Sequence, residues 1–176
     1  QLHSVYGIFW RVEYPLPSDP PLVSLIIITH NGYELLSRCV KSILQNTTYK
    51  PFELLIIDYQ SDDRRTLAYL KHLEKEDRVR VIDYKGPFNL SRINNWGARH
   101  AHGTILGFLH NDVEVISTGW LEEMVRHAIR PEIGAVGAML YYPNDTIQHA
   151  GVILGIGGVA GHAYRYLPRG TPGQMG

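Results

Sequence analysis

Two carboxylates two positions apart, Asp112 and Glu114, follow the apolar run Ile105-Leu-Gly-Phe-Leu109 after the polar pair His110-Asn111. In an extended chain, residues i and i+2 share a side, so both carboxylates would point the same way. Hard divalent cations take oxygen ligands of this kind and usually complete their shell with substrate phosphate and water. The apolar run reads as a buried strand, and ligands of open α/β sheets bind at the carboxyl ends of strands. An ordinary acidic loop after a strand has the same composition, so the rest of the chain must decide. Phe52 to Ile57 is a second such run and ends in Asp58; Leu22 to Thr29 is a third, ending in Thr29 and Asn31. Polar groups at three strand ends, with carboxylates on two strands expected to be adjacent, suit a polar, anionic ligand laid across a sheet edge.

The elements that must position these residues alternate along the chain. Leu22-Val-Ser-Leu-Ile-Ile-Ile-Thr29 is apolar and β-branched throughout, as a strand buried on both faces of a parallel sheet is. Leu35, Leu36, Cys39, Val40, Ile43 and Leu44 then recur at helical spacing. After the strand at Phe52, Ser61-Asp-Asp63 marks a helix start. Val79-Arg-Val-Ile82 is shorter and more polar, which predicts a strand near an edge. A helix over Arg92 to His102 is stopped by Gly103, and Trp120 to Ile129 form another. Gly134 to Leu140 reads as a further buried strand, and Tyr141 to Thr146 as a turn. The expected fold class is α/β: a three-layer α/β/α domain with a mostly parallel sheet.

Domain boundaries follow composition. Residues 1–20 carry scattered aromatics and end in four prolines within Pro15 to Pro21, which reads as an arm or stiff linker. Residues 21–176 are expected to form one domain. Charge balances at 17 basic against 17 acidic side chains, so no global field recruits nucleic acid or an anionic membrane. The longest apolar runs are too short to span a bilayer, so membrane association is expected only through parts not in this chain. The single cysteine, Cys39, sits on an apolar helix face, reads as core, and agrees with a reducing, cytoplasmic setting, soluble or peripheral at the inner membrane face.

Several patterns invite readings that their context does not support. Gly155-Ile-Gly-Gly-Val-Ala160 matches a dinucleotide fingerprint, but Pro168, Gly170 and Pro172 forbid the helix that must follow. A glycine loop is expected there. His100 and His102 are two apart on or beside a helix and do not face each other as a metal pair would. His110, beside Asp112, could ligate a metal or meet a phosphate. His149 and His162 flank the glycine loop.

Five motifs in order then point further. Val23-Ser-Leu-Ile-Ile-Ile-Thr-His-Asn-Gly32, Ile56-Ile-Asp-Tyr-Gln-Ser-Asp-Asp63, Asn94-Asn-Trp-Gly-Ala98, Leu109-His-Asn-Asp-Val-Glu-Val115 and Gly119-Trp-Leu121 together resemble family 2 glycosyltransferases with the GT-A fold. Pro87-Phe-Asn-Leu-Ser91 and Gln148-His-Ala-Gly-Val152 resemble a bacterial rhamnosyltransferase-like group within it. The resemblance covers about residues 20 to 165. It implies a UDP- or dTDP-type sugar donor, a divalent metal (Mg²⁺ or Mn²⁺), and inverting transfer to a glycan or lipid-linked acceptor hydroxyl, in bacterial polysaccharide or glycan synthesis. By match, Thr29, Asn31 and Asn111 lie by the nucleotide, Asp58 contacts base or ribose, and Asn89 and Asn94 line the nucleotide or sugar pocket. Asp112 falls at the last position of the family's D-x-D motif and is the implied metal ligand, with Glu114, His110 and His149 as further candidates. His110 stands where that motif's first aspartate often lies. The family's base lies further downstream, so residues 21–176 are expected to be a donor-binding part truncated before the acceptor-binding half, inactive or weak alone. The rival expectation is a degenerate GT-A module used for protein contacts.

Overall fold

The computed structural model describes residues 2–5 and 9–171. In chain order the elements are β1 (Leu2–Val5), β2 (Phe9–Val12), β3 (Val23–Thr29), α1 (Tyr33–Asn46), β4 (Phe52–Asp58), α2 (Arg64–Leu73), β5 (Val79–Asp83), α3 (Leu90–His100), β6 (Ile105–Leu109), α4 (Trp120–Ala128), β7 (Leu140–Tyr141), β8 (Ile147–His149), β9 (Val152–Leu154) and β10 (Ala160–His162), with a 3-10 turn at Ile156–Gly158. The chain divides into two compact units at Arg126 and His127.

The first unit is built on a parallel sheet of order β5-β4-β3-β6. β3 and β4 are central because they are the most continuously apolar runs, and every residue of β4 is buried. One face, carrying Ile26, Leu55 and Ile57, packs with Ile93 of α3 and with Tyr84. The alternating residues Leu25, Ile27, Leu54 and Ile56 are equally buried, so the other face is covered as well. α1 and α2 pack on each other and supply the apolar stripes Leu36, Cys39, Val40, Ile43 and Leu70, Leu73. Each such side chain taken out of water contributes about 2 kcal/mol before its entropy cost.

The helix–sheet contact is close at Gly97 of α3. A Cβ added there would meet Ile26 Cγ2 at 2.8 Å and Ile57 at 3.4 Å. Alanine would raise helix propensity by about 1 kcal/mol, whereas overpacking a tight core costs about 1–3 kcal/mol. The clash should win, and Gly97→Ala is expected to lower the urea midpoint at unchanged slope. A midpoint equal to or above the parent's would show that Ile26 gives way freely.

The sheet corrects three expectations. Asp58 and Asp112 do not follow adjacent strands, because β3 lies between β4 and β6. The strand leading to Asp112 is not fully buried: β6 is an edge of this sheet, with Leu106 39% and Phe108 50% exposed on one face. Apolar composition alone does not distinguish an edge from a centre. Gly134 to Leu140 is not a strand; only Leu140 and Tyr141 pair, with β8, and a strand without a ladder partner leaves its backbone unsatisfied. The stretch from Val79 is an edge strand, as its polarity predicts. Residues 1–20, expected as an arm or linker, include a two-stranded antiparallel ladder of β1 and β2 ahead of the proline stretch. α3 starts two residues earlier than its apolar pattern suggests, because the Asn89 side chain caps it by accepting from Arg92 N at 2.9 Å.

The second unit has two antiparallel pairs, β7 with β8 and β9 with β10, around the buried Ile147 and Ala163. The glycine loop is the tip between β9 and β10, with Gly155, Gly157 and Gly158 at positive φ, and it opens no α-helix. Among the described residues no helix is long and apolar enough to cross a membrane.

Candidate functional site

Parallel register brings the expected residues into one row. Thr29 pairs with Asp58 across β3 and β4, and Asp58 with Asp83 across β4 and β5. On the other side Ile27 pairs with Leu109, so Asn111 arrives level with Thr29 and donates from Nδ2 to Thr29 Oγ1 at 3.4 Å. Asp112 follows Asn111 directly and is exposed. Thr29 and Asp58 are buried at the carboxyl edge, and Asp58 Oδ1 accepts from Ser61 N at 3.2 Å. The rim beside Asp58 is aromatic: Tyr59 lies 5.3 Å from the exposed Phe88 and 5.7 Å from His30, ring centre to ring centre.

Asn31 is a strut. Its φ of 58° lies in the left-handed region, which Asn tolerates better than most residues. Its Nδ2 donates to Asp62 Oδ1 at 2.8 Å, and its Oδ1 accepts from Asp62 N and Asp63 N, both at 2.9 Å. The amide therefore ties the loop after β3 to the loop after β4. Asp63 in turn caps α2 through Thr66 N. Both rim loops are thereby held in place, consistent with a preorganised binding edge.

The metal candidates separate. Glu114 pairs with Arg38 of α1 at 3.4 Å, an exposed contact of little energetic weight. The His110 side chain is exposed, while its carbonyl oxygen lies 3.6 Å from Cys39 Sγ. Burial pushes that thiol up to about 12, and the carboxylates of Asp112 and Glu114 add to the effect, so Cys39 is a core residue. His149 belongs to the second unit, where its Nδ1 lies 2.9 Å from Nδ1 of His162. Among the described residues no three His, Cys, Asp or Glu side chains converge as a cation cage. A single exposed carboxylate at a strand end does not fit a dedicated protein cage. It does fit a Mg²⁺- or Mn²⁺-type ion that arrives with a diphosphate, since such ions are held by one or two carboxylates plus substrate phosphates and water.

The two asparagines of the α3 region part company. Asn89, besides capping the helix, lines a cavity of about 830 Å³ together with Lys85, Arg92, Asn95, Trp96 and Arg99. Asn94 does not line it: two steps of about 100° each put it on the flank away from Arg92. Arg92, Trp96 and Arg99 were legible as a flank at i, i+4 and i+7, but nothing local marks that flank as a cavity wall. His100 and His102 have separate partners. His100 Nδ1 meets Trp96 O at 2.8 Å, and His102 meets Glu53 at 3.1 Å.

Comparison with known proteins agrees with this architecture. A family profile described as Glycosyl transferase family 2 matches residues 24–166. The chain is 45% identical over 160 residues to the uncharacterized protein y4gI of Sinorhizobium fredii, covering 90% of this chain and 18% of that protein. It is 42% identical over 161 residues to the O-antigen biosynthesis protein RfbC of Myxococcus xanthus, covering 92% of this chain and 12% of that one. The chain thus spans less than a fifth of the length of these relatives. Among solved structures, the mannosyltransferase PcManGT from Pyrobaculum calidifontis, in complex with GDP-Man and Mn²⁺, superposes with a TM-score of 0.64 at 23% identity, over 74% of this chain and 39% of that one. That likeness shows the shared fold, a mostly parallel sheet of the GT-A type with its helices. By its sequence match across most of its length and by its fold, the chain belongs to glycosyl transferase family 2.

Proposed function

We propose that the carboxyl edge of the first unit's sheet binds the nucleotide-diphosphate part of a UDP- or dTDP-type sugar donor, for inverting transfer of the sugar to an acceptor hydroxyl in bacterial glycan synthesis. The observation that carries this reading is the row formed by Thr29, Asp58 and Asn111, with Asp112 next in the chain. Asp58, Thr29 and Asn111 would take base and ribose, with Tyr59 and Phe88 as the aromatic side of that recess and Asn31 holding its loops. Asn89, at the start of α3, belongs to the reading as lining of the nucleotide or sugar end, whereas Asn94 lies on another flank of that helix. Asp112 would hold the cation against the diphosphate. That ion supplies Lewis-acid stabilisation of the charge that builds on the leaving diphosphate. PcManGT, which is in complex with GDP-Man and Mn²⁺ on a similar fold, supports a nucleotide-sugar donor and a divalent metal as ligands. The name of RfbC supports polysaccharide synthesis as the setting.

A lone carboxylate makes metal and nucleotide binding interdependent. Calorimetric titration of Mn²⁺ alone is expected to give no binding heat. UDP alone should bind weakly, and UDP with Mn²⁺ about a hundredfold more tightly or better, a gain of about 3 kcal/mol, with dTDP and GDP as comparison nucleotides. No heat from any nucleotide, with or without Mn²⁺, would overturn the reading; tight Mn²⁺ binding without nucleotide would overturn its account of the metal.

A further inference from the structure

The second unit carries an exposed aromatic shelf that the donor reading does not use. Tyr142, at the start of the turn after β7, and Tyr166 lie 5.5 Å apart with ring planes 8° from parallel. With Pro143 and Asn144 they line a shallow recess of about 410 Å³. The Arg165 guanidinium donates to Tyr142 Oη at 2.7 and 3.1 Å and lies 4.8 Å from the centre of the Tyr166 ring. Asn144 Oδ1 accepts from Thr146 at 2.8 Å, which fixes the amide and leaves its nitrogen as a donor.

The backbone under the shelf is strained and firmly held. Tyr164 and Tyr166 sit at φ 57° and 70°, and Asp145 opposite them at 62°. Bulky residues rarely adopt this region, and they persist there only where the surroundings over-determine the chain. Here they do. Tyr166 N donates to Ile147 O and Ile147 N to Leu167 O, both at 2.8 Å, while Arg169 N donates to Asp145 O at 2.9 Å. Yet the Tyr166 side chain gains little from burial, since the residue remains 63% exposed. Packing therefore does not account for a tyrosine where glycine or asparagine would be more comfortable.

We propose that the Tyr142–Tyr166 shelf, with the Asn144 amide and the Arg165 guanidinium at its rim, is a binding subsite for a pyranose ring of a glycan. A sugar ring presents C–H groups on one face and hydroxyls around its edge. Aromatic faces carry negative potential that attracts the former, and an amide and a guanidinium hydrogen-bond the latter. A saccharide, as opposed to another flat or apolar ligand, is chosen because the chain is a glycosyltransferase; to that extent the proposal rests on the preceding reading and deepens it.

Saturation-transfer NMR tests it with the methyl glycosides of glucose, galactose, mannose, rhamnose and N-acetylglucosamine, with uridine as the competing stacker. Saturation is expected on the ring protons of at least one glycoside. It should be lost in Tyr166→Asn, which deletes the ring but suits the left-handed backbone, and kept in Tyr166→Trp. No transfer to any glycoside, transfer unchanged in Tyr166→Asn, or transfer to uridine alone would overturn the shelf. UDP and Mn²⁺ calorimetry on the same preparations separates the two readings. Intact nucleotide binding without glycoside contact refutes the shelf alone, and Tyr166-dependent glycoside contact without nucleotide binding refutes the donor reading alone.

Discussion

Replacing Asp112 with Asn is expected to remove the metal-dependent part of nucleotide binding, weakening it by about a hundredfold or more in the presence of Mn²⁺. At 1.4 kcal/mol per tenfold this is about 3 kcal/mol. Asn keeps the size and one carbonyl oxygen but removes the negative charge that a hard cation requires. Among the described residues no three His, Cys, Asp or Glu side chains converge as a cation cage, so no preformed ligand set compensates for the lost charge. The side chain is exposed, and surface substitutions of this kind usually stay within about 0.5 kcal/mol of parent stability, so the loss should be one of binding alone. Glu114→Gln is the matched control. Its carboxylate is turned to Arg38, so at most a few-fold change is expected. Calorimetry with and without Mn²⁺, beside thermal unfolding of each variant, reads both effects. If Glu114→Gln abolishes the Mn²⁺ dependence and Asp112→Asn leaves it, the cation site is centred on the wrong residue.

How far the sequence reached follows from which signals are local. The runs that became β3 and β4 announce themselves, because a strand buried on both faces must be apolar throughout and must end where polar residues begin. That rule alone put Thr29, Asp58 and Asp112 at strand ends, whereas Asn111 entered only through the family resemblance. The order of the strands is not local: nothing in residues 105–109 says that β3 stands between this strand and β4, or that Leu106 and Phe108 would stay half exposed. The same holds for Gly134 to Leu140, whose composition suits a strand but whose backbone finds a ladder partner only at its end. Side-chain accounting is harder still. Asn31 looks like a free ligand in the sequence and is consumed by two loops in the structure, because its partners lie 31 and 32 residues away. The Tyr142–Tyr166 shelf needs a left-handed tyrosine, which no propensity would suggest.

Glu53 carries the largest structural prediction, and it too was invisible in the sequence, where it is one polar residue in an apolar strand. It is buried at the opposite end of β4 from Asp58. Its carboxylate accepts from Ser24 Oγ and His102 N, both at 2.6 Å, and pairs with Arg80 at 3.1 Å. Ser24 Oγ in turn accepts from Gly103 N at 2.8 Å, and Arg80 also donates to the His100 carbonyl. One carboxylate therefore binds β3, β4, β5 and the chain entering β6. Burial by itself would raise its pKa, but the hydrogen bonds from Ser24, His102 N and Arg80, with the nearby His102 ring, prevail and hold the carboxyl below its ordinary range. Glu53→Ala should cost about 3–5 kcal/mol, because it leaves the Ser24 hydroxyl and the His102 N–H without their acceptor and removes the counter-charge of Arg80. A domain has about 5–15 kcal/mol in all, so the variant should be close to unfolding at 37 °C. Arg80→Ala should cost less, since that side chain is 37% exposed and water can replace it. A folded pKa below the unfolded value, about 4.3 for Glu, means the carboxylate's contribution is fully present above that value. It is lost as pH falls through the lower, folded pKa. Urea unfolding between pH 7 and pH 3 should therefore show parent stability falling on the acid side, with a shallower fall in Glu53→Gln. If Glu53→Ala unfolds within about 1 kcal/mol of the parent, the node is an incidental contact, and the amino end of the sheet is held by its apolar packing alone.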